Sequence, residues 1–338
     1  MKKYKISKDN RLLLQKTART LYLSFSILPA YVKYMLSSGY LVARAMDSVV
    51  DCEDIPVEEK EKFLIAFKKH CEGNFSQKIH SLKPQYLSKL EKWERKLVEN
   101  IDEIAREFWL NMDEEDKKNF IFLIDGIFKG MMMDIKNFNI TDRISSFKSF
   151  KDLIRYAGLI GGTPAVYWHN IYKKYMPDVY KNNVLRSSYR IGMALQLTNI
   201  LKDIYVDLRK GRCYIPQEFL NSAGFSEVDL LDYKNIDRIK PFINSIILTC
   251  VDYFDESEFF IDSIKASEFA LKISLIWPIY WAMDSLYLVA AKNPLKSRIK
   301  IGRLKIYKTL VKSPLLLNPT FFHQGYRFRR ETLILEIR

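Results

Sequence analysis

Two pairs of aspartates at the same spacing dominate the chemistry this sequence could perform. Arg44, Asp47, Ser48 and Asp51 stand in one segment, and Gln196, Asn199, Asp203 and Asp207 stand in another. On a helix of 3.6 residues per turn each set returns to a single face. The positions between them are mostly apolar, with Val42, Ala45, Met46, Val49 and Val50 in the first segment and Leu197, Ile200, Leu201 and Ile204 in the second. Each helix is therefore expected to be largely buried, with a carboxylate stripe along it. Buried carboxylates without a partner cost too much to keep. The pattern predicts a cation between the two stripes, and carboxylate oxygens together with the oxygens of a bound phosphate are the ligands that magnesium takes. A solvated acidic face would also carry lysines and glutamates around its polar half, and these segments mostly do not.

Helices must position these residues, and the rest of the chain is suited to supply them. Glycine and proline are scarce, 12 and 11 in 338 residues, hydrophobic residues make up 48%, and long stretches keep a 3.6-residue period. An all-α fold over one domain, residues 1–338, is expected, since no linker or repeat marks a seam. Helices are predicted at about 9–28, ended by Pro29, which opens the next one through Asp51, and from Pro56 to Gly73. Others are expected at about 85–112, 114–137, 150–172, 178–209, 238–265, 268–291 and 300–312, with Ser149 and Asp152 forming an N-terminal cap. The apolar run from Phe269 to Ala291 contains Lys272, Pro278 and Asp284. A charge near a bilayer centre costs at least about 2.5 kcal/mol, so a buried core helix is expected there.

Charge and cysteine usage narrow the function. The formal net charge is +14, which calls for an anionic partner. No zinc-finger spacing, RNP-like strand or base-reading basic helix points to nucleic acid. Diphosphate substrates and anionic lipid headgroups fit better. A basic C-terminal segment begins at about residue 292, and from Lys292 to Lys312 it holds eight lysines and arginines and no acid. Cys52, Cys71, Cys213 and Cys250 are far apart, and His70, His80, His169 and His323 form no pair at metal-ligand spacing. The first residues lack the apolar core of a signal peptide. A cytoplasmic protein is expected, in peripheral contact with the inner membrane surface and with no obligate protein partner evident.

These motifs resemble the squalene/phytoene synthase family, which joins two prenyl diphosphates head to head. The family's form Arg-x-x-Asp-x-x-x-Asp is matched by Arg44, Asp47 and Asp51. Its second motif is matched by Gln196, Asn199, Lys202, Asp203 and Asp207, followed by Gly211, Arg212, Tyr214 and Pro216. Arg19, Thr20, Ser24 and Phe25 resemble an early family segment, and Tyr156 to Gly162 another. Ala18, Lys202 and Ala165 with Val166 depart from the usual pattern. The resemblance implies an isoprenoid synthase-type helical bundle around a central cavity. It implies a magnesium site of Asp47, Asp51, Asn199, Asp203 and Asp207, and substrate contacts from Arg19, Thr20, Tyr40, Arg44, Gln196, Lys202, Arg212, Tyr214 and Tyr280. The four aspartates and Tyr156 would be catalytic, with Tyr253 a further candidate for stabilising a carbocation.

The implied reaction condenses two farnesyl diphosphates to presqualene diphosphate and on to squalene or a related thirty-carbon product. The alternatives are a phytoene synthase using geranylgeranyl diphosphate, and a non-catalytic assembly protein of the same fold. Arg298, Lys300 and Arg303 resemble a basic segment of the squalene-type members, where Lys300 and Arg303 would bind NADPH phosphates. The other reading of that stretch is a cationic helix docked on anionic lipid.

Overall fold

The computed structural model describes residues 4–18, 21–75, 82–138 and 143–338. It is helical apart from one parallel pairing of Ser145–Ser146 with Arg212–Cys213, as the sequence predicts. The chain divides into two compact units, Met1–Lys136 with Tyr167–Pro177, and Asn137–Val166 with Asp178–Arg338.

In the first unit the long helix Ala30–Asp51 begins immediately after Pro29, whose fixed φ of −54° suits a helix entry. Val42, Ala45, Met46 and Val49 are fully buried on it. It packs on helices Lys8–Ala18, Lys92–Glu99 and Ile101–Asn111. Gly39 lets a neighbour lie against the backbone: a Cβ there would stand 2.7 Å from Leu123 and 2.8 Å from Tyr167. Pro56 opens helix Val57–Cys71, and Gly73 closes it at φ 93°. The single helix predicted over 85–112 is instead three, Pro84–Leu87, Lys92–Glu99 and Ile101–Asn111. Asn100, at φ −108° and ψ 8°, breaks the last two while the apolar pattern runs on through it.

In the second unit helix Leu185–Arg209 packs on helices Ile236–Ser263 and Phe269–Ala291. It starts seven residues later than predicted, because Tyr180 instead bridges Ile264. The predicted cap at Ser149 and Asp152 forms as a reciprocal capping box and starts helix Phe150–Ala157. That helix then widens into a π turn, Gly158–Gly162, before Thr163–Tyr175. The widening coincides with a glycine contact. A Cβ on Gly161 would meet the Gly192 carbonyl oxygen at 2.3 Å, and one on Gly192 would meet the Gly161 carbonyl oxygen at 2.4 Å. These glycines serve helix packing.

Phe269–Ala291 is, among the described residues, the helix long and apolar enough to cross a membrane, and 78% of its apolar window is buried. Its Asp284 is buried and meets Arg329 at 3.1 Å and Lys305 at 3.0 Å. Arg329 comes from Pro319–Ile337, a helix the sequence reading did not foresee. Asn318 caps it by accepting from the Thr320 amide at 3.0 Å, and Phe322, Tyr326 and Leu333 are fully buried. Arg330 forks onto Asp255 at 2.7 and 2.9 Å, and His323 lies between Glu258 and Asp262.

The glycine contact yields a direct test. Gly192→Ala places a methyl group against backbone that cannot move aside, and overpacking of this kind costs about 1–3 kcal/mol. Urea unfolding should show a correspondingly lower midpoint, and an unchanged midpoint would mean the two backbones do not approach this closely.

Candidate active site

The first stripe lies on helix Ala30–Asp51, with Tyr40, Arg44, Asp47 and Asp51 all partly exposed. Its carboxylates are thus less buried than the apolar flanks suggested: the Asp47 side chain is 42% exposed. Arg44 reaches Asp47 with one nitrogen and Glu94 with another. Burial works against the guanidinium charge, but Asp47 and Glu94 outweigh it and raise its pKa above the usual arginine range. Ser48 turns back to donate to the Arg44 carbonyl at 2.8 Å, and Tyr40 donates to the Thr17 carbonyl at 2.8 Å. Arg19 and Thr20 lie outside the described residues.

The second stripe lies on helix Leu185–Arg209. Leu197, Leu201 and Leu208 are buried on one side, while Gln196, Lys202, Asp203 and Asp207 are partly exposed and Asn199 is exposed. Here too the stripe reaches solvent beside a buried apolar side of the helix. Arg298 forms an ion pair with Asp203 through its Nε, and the Ile299 amide donates to the Lys202 carbonyl at 3.1 Å. The basic segment therefore touches the acidic stripe. Sequence reasoning missed this pairing, and its one available signal was that a run of cations without acids must find its counter-charges elsewhere in the chain.

Gly211 turns the chain at φ 75°, and its carbonyl accepts from the Ser145 amide at 3.0 Å, which leads Arg212 into its strand. Beyond it Tyr214 joins Tyr156: the two hydroxyls are 3.4 Å apart and the rings 5.4 Å. Phe138 and Phe147 close the cluster, with Phe147 fully buried. Tyr280 sits elsewhere in the same unit. Its hydroxyl donates to the Phe322 carbonyl at 2.7 Å, its ring stacks on Phe322, and Arg329 covers its face at 4.0 Å. The structure thus gives Tyr280 a packing role against the unforeseen helix. Tyr253 is covered by Arg190 at 4.7 Å, and Lys300 and Arg303 are exposed.

The donor set suits one kind of metal. Among the described residues no three His, Cys, Asp or Glu side chains converge into a protein-only cage. Magnesium does not require one, since it keeps waters and takes one or two carboxylates plus substrate phosphate oxygens. Asp203 and Asp207, one helical turn apart with Asn199 on the same face, offer hard oxygen donors of that type and no sulfur or imidazole.

The family model for squalene/phytoene synthase matches residues 14–304. The chain belongs to this family. Among solved structures, TcSQS in complex with the ligand BPH1237 is similar over 98% of this chain and 97% of its own, at a TM-score of 0.79 and 18% identity. A dehydrosqualene synthase is similar over 92% and 96%, at 0.60 and 17%. Both likenesses establish the all-α squalene synthase fold. In sequence, phytoene synthase 1 of Arabidopsis thaliana is 32% identical over 162 residues, 47% of this chain and 34% of its own length. Phytoene synthase of Daucus carota is 28% identical over 207 residues, 59% and 47%. The chain thus spans a third to a half of the length of these curated relatives.

In this family member Arg44 fastens the first stripe. Arg44→Leu should lower stability by about 1 kcal/mol, the upper end for a partly exposed pair. Arg44→Lys should recover at most part of that, because one ammonium cannot span both Asp47 and Glu94 as the planar fork does. Full recovery in denaturant unfolding of the lysine variant would show that the bridge contributes nothing beyond its charge.

Proposed function

We propose that this chain condenses two farnesyl diphosphates head to head into presqualene diphosphate and on to squalene or a related thirty-carbon product. The observation that carries the reading is the second stripe: Gln196, Asn199, Lys202, Asp203 and Asp207 reaching solvent on a helix whose Leu197, Leu201, Ile204 and Leu208 are buried, in a chain whose family match spans residues 14–304. Magnesium held by Asn199, Asp203 and Asp207 on the second stripe would neutralise a departing diphosphate, and Asp47 and Asp51 on the first offer oxygen ligands of the same kind. Lys202 would meet a phosphate as a point charge, and Arg212 could do so bidentately. The faces of Tyr156 and Tyr214, 5% and 8% exposed, lie among phenylalanines, a dry and polarisable setting that favours a passing carbocation over attack by water. The names of the sequence relatives favour a second reading, in which geranylgeranyl diphosphate is the substrate and phytoene the product.

Incubation of the purified protein with magnesium and each diphosphate, followed by mass spectrometry of the hydrocarbon, decides between the two. A thirty-carbon product is expected, and a faster forty-carbon product would move the assignment to phytoene. Asp47→Asn and Asp203→Asn should each reduce turnover by at least about a hundredfold, the scale seen when a preorganised electrostatic partner is lost. Both should keep a normal circular dichroism spectrum, because each substitution also relieves carboxylate repulsion. Turnover retained in both variants, or in chelator, would remove the metal reading.

The reductive step belongs to the same proposal. Lys300 and Arg303 are exposed and make no ion pair among the described residues, which leaves them available to the phosphates of NADPH. Lys300→Ala with Arg303→Ala should block conversion of presqualene diphosphate to squalene while sparing its formation. Equal loss of both steps, or of neither, would end the nucleotide assignment.

A further inference from the structure

The short helix Arg303–Val311 presents its apolar side chains outward. Leu304 is 67% exposed, Tyr307 60% and Val311 80%, and Leu315 in the following turn is 55% exposed. Offsets of three and seven place Leu304, Tyr307 and Val311 on one side of the helix, and Leu315 follows in the next short helix. The inward side holds Thr309, which is buried and donates back to the Lys305 carbonyl at 3.1 Å, with half-buried Ile306 and Leu310 beside it. A surface helix docked on a core ordinarily keeps its outward side polar, so this helix carries a second apolar face. Single exposed apolar residues are ordinary, whereas several on one face of one helix mark a docking surface.

The charges around this face identify the occupant. Lys305 pairs with Asp284 at 3.0 Å, while Arg303, Lys308 and Lys312 are exposed and make no ion pair among the described residues. No acid occurs in the chain from Ser285 to Arg330. We infer that Leu304, Tyr307, Val311 and Leu315, flanked by Lys308 and Lys312, form a docking face for an anionic lipid surface. Apolar side chains enter the headgroup boundary while lysines reach anionic headgroups from long flexible stems, and both requirements are met along helix Arg303–Val311 and the short turn that follows it. Nucleic acid would use the cations and leave four apolar side chains in water. A second copy, paired through the same patch, would set Lys308 and Lys312 against their own like charges. The face does not depend on the reaction proposed above.

Flotation of the full chain with vesicles tests it. The protein should float with phosphatidylglycerol–phosphatidylcholine vesicles and stay behind with pure phosphatidylcholine, and raising the salt to about 1 M, where the screening length falls to about 3 Å, should release most of it. Lys308→Glu with Lys312→Glu should abolish flotation. Leu304→Ser with Val311→Ser should weaken it at least about tenfold, and both double variants, altered only at exposed positions, should keep the parent melting curve. A Val311→Trp variant should shift its fluorescence to the blue only when anionic vesicles are added. Absence of flotation, flotation unchanged in both double variants, tighter binding to a DNA duplex than to the vesicles, or a dimer that the serine variant dissociates would each overturn the proposal.

Discussion

A carboxylate cannot remain charged inside an apolar core without a counter-charge or water, and this constraint shapes both long acidic helices. Asp47 and Asp51, like Asp203 and Asp207, are one turn apart on their helix, a spacing at which like charges repel. The surrounding positions are committed to packing, with Val42, Ala45, Met46 and Val49 on one helix and Leu197, Leu201 and Leu208 on the other all buried. One narrow face is left to each helix. The chain opens that face partly to solvent and brings a guanidinium to it, Arg44 at Asp47 and Arg298 at Asp203. Such a face leaves its aspartates within reach of solvent, where hard oxygen ligands remain accessible.

Close packing on the opposite side allows the second helix to hold that face in place. Where Gly161 and Gly192 meet, the two backbones touch without side chains between them, and the neighbouring helix opens into its π turn at the same residues. A π turn costs some hydrogen-bond quality and is kept where geometry demands it. Here the demand is visible as a backbone contact. The turn also follows directly on helix Phe150–Ala157, which carries Tyr156 into contact with Tyr214, so the glycines and the aromatic cluster are set by one stretch of chain.

Features confined to one helix were legible in the sequence. Pro29, Pro56 and the Ser149–Asp152 pair mark helix starts through local backbone chemistry, and each stripe is a matter of spacing within a single helix. The 85–112 region misled because its apolar period continues across Asn100, where the break is a backbone event without effect on the pattern. Helix Pro319–Ile337 was missed for the opposite reason. Its buried Phe322, Tyr326 and Leu333 are interleaved with exposed Phe321, Phe328 and Leu335, so no clean apolar stripe stands out. The contacts of Tyr280, named in the sequence as a substrate residue, were hidden with it, because that helix supplies them. The pairing of Arg298 with Asp203 joins residues 95 positions apart and no local signal encodes it.

That pairing also changes how the basic C-terminal segment is understood. A run of eight cations reads in the sequence as one patch, yet the fold separates it by partner. Arg298 and Lys305 remain exposed but pair with Asp203 and Asp284, whose carboxylates are more shielded than the cations themselves. Lys300, Arg303, Lys308 and Lys312 are exposed and make no such pair among the described residues. The pair at Asp203 has a bearing on the departure at Lys202, which carries a point charge where a planar fork is usual. The Ile299 amide bonded to the Lys202 carbonyl anchors the segment beside that position, and Arg298, next in the chain, brings a guanidinium to the adjacent aspartate. The second stripe therefore keeps a planar cation within its own unit, contributed by a different part of the chain.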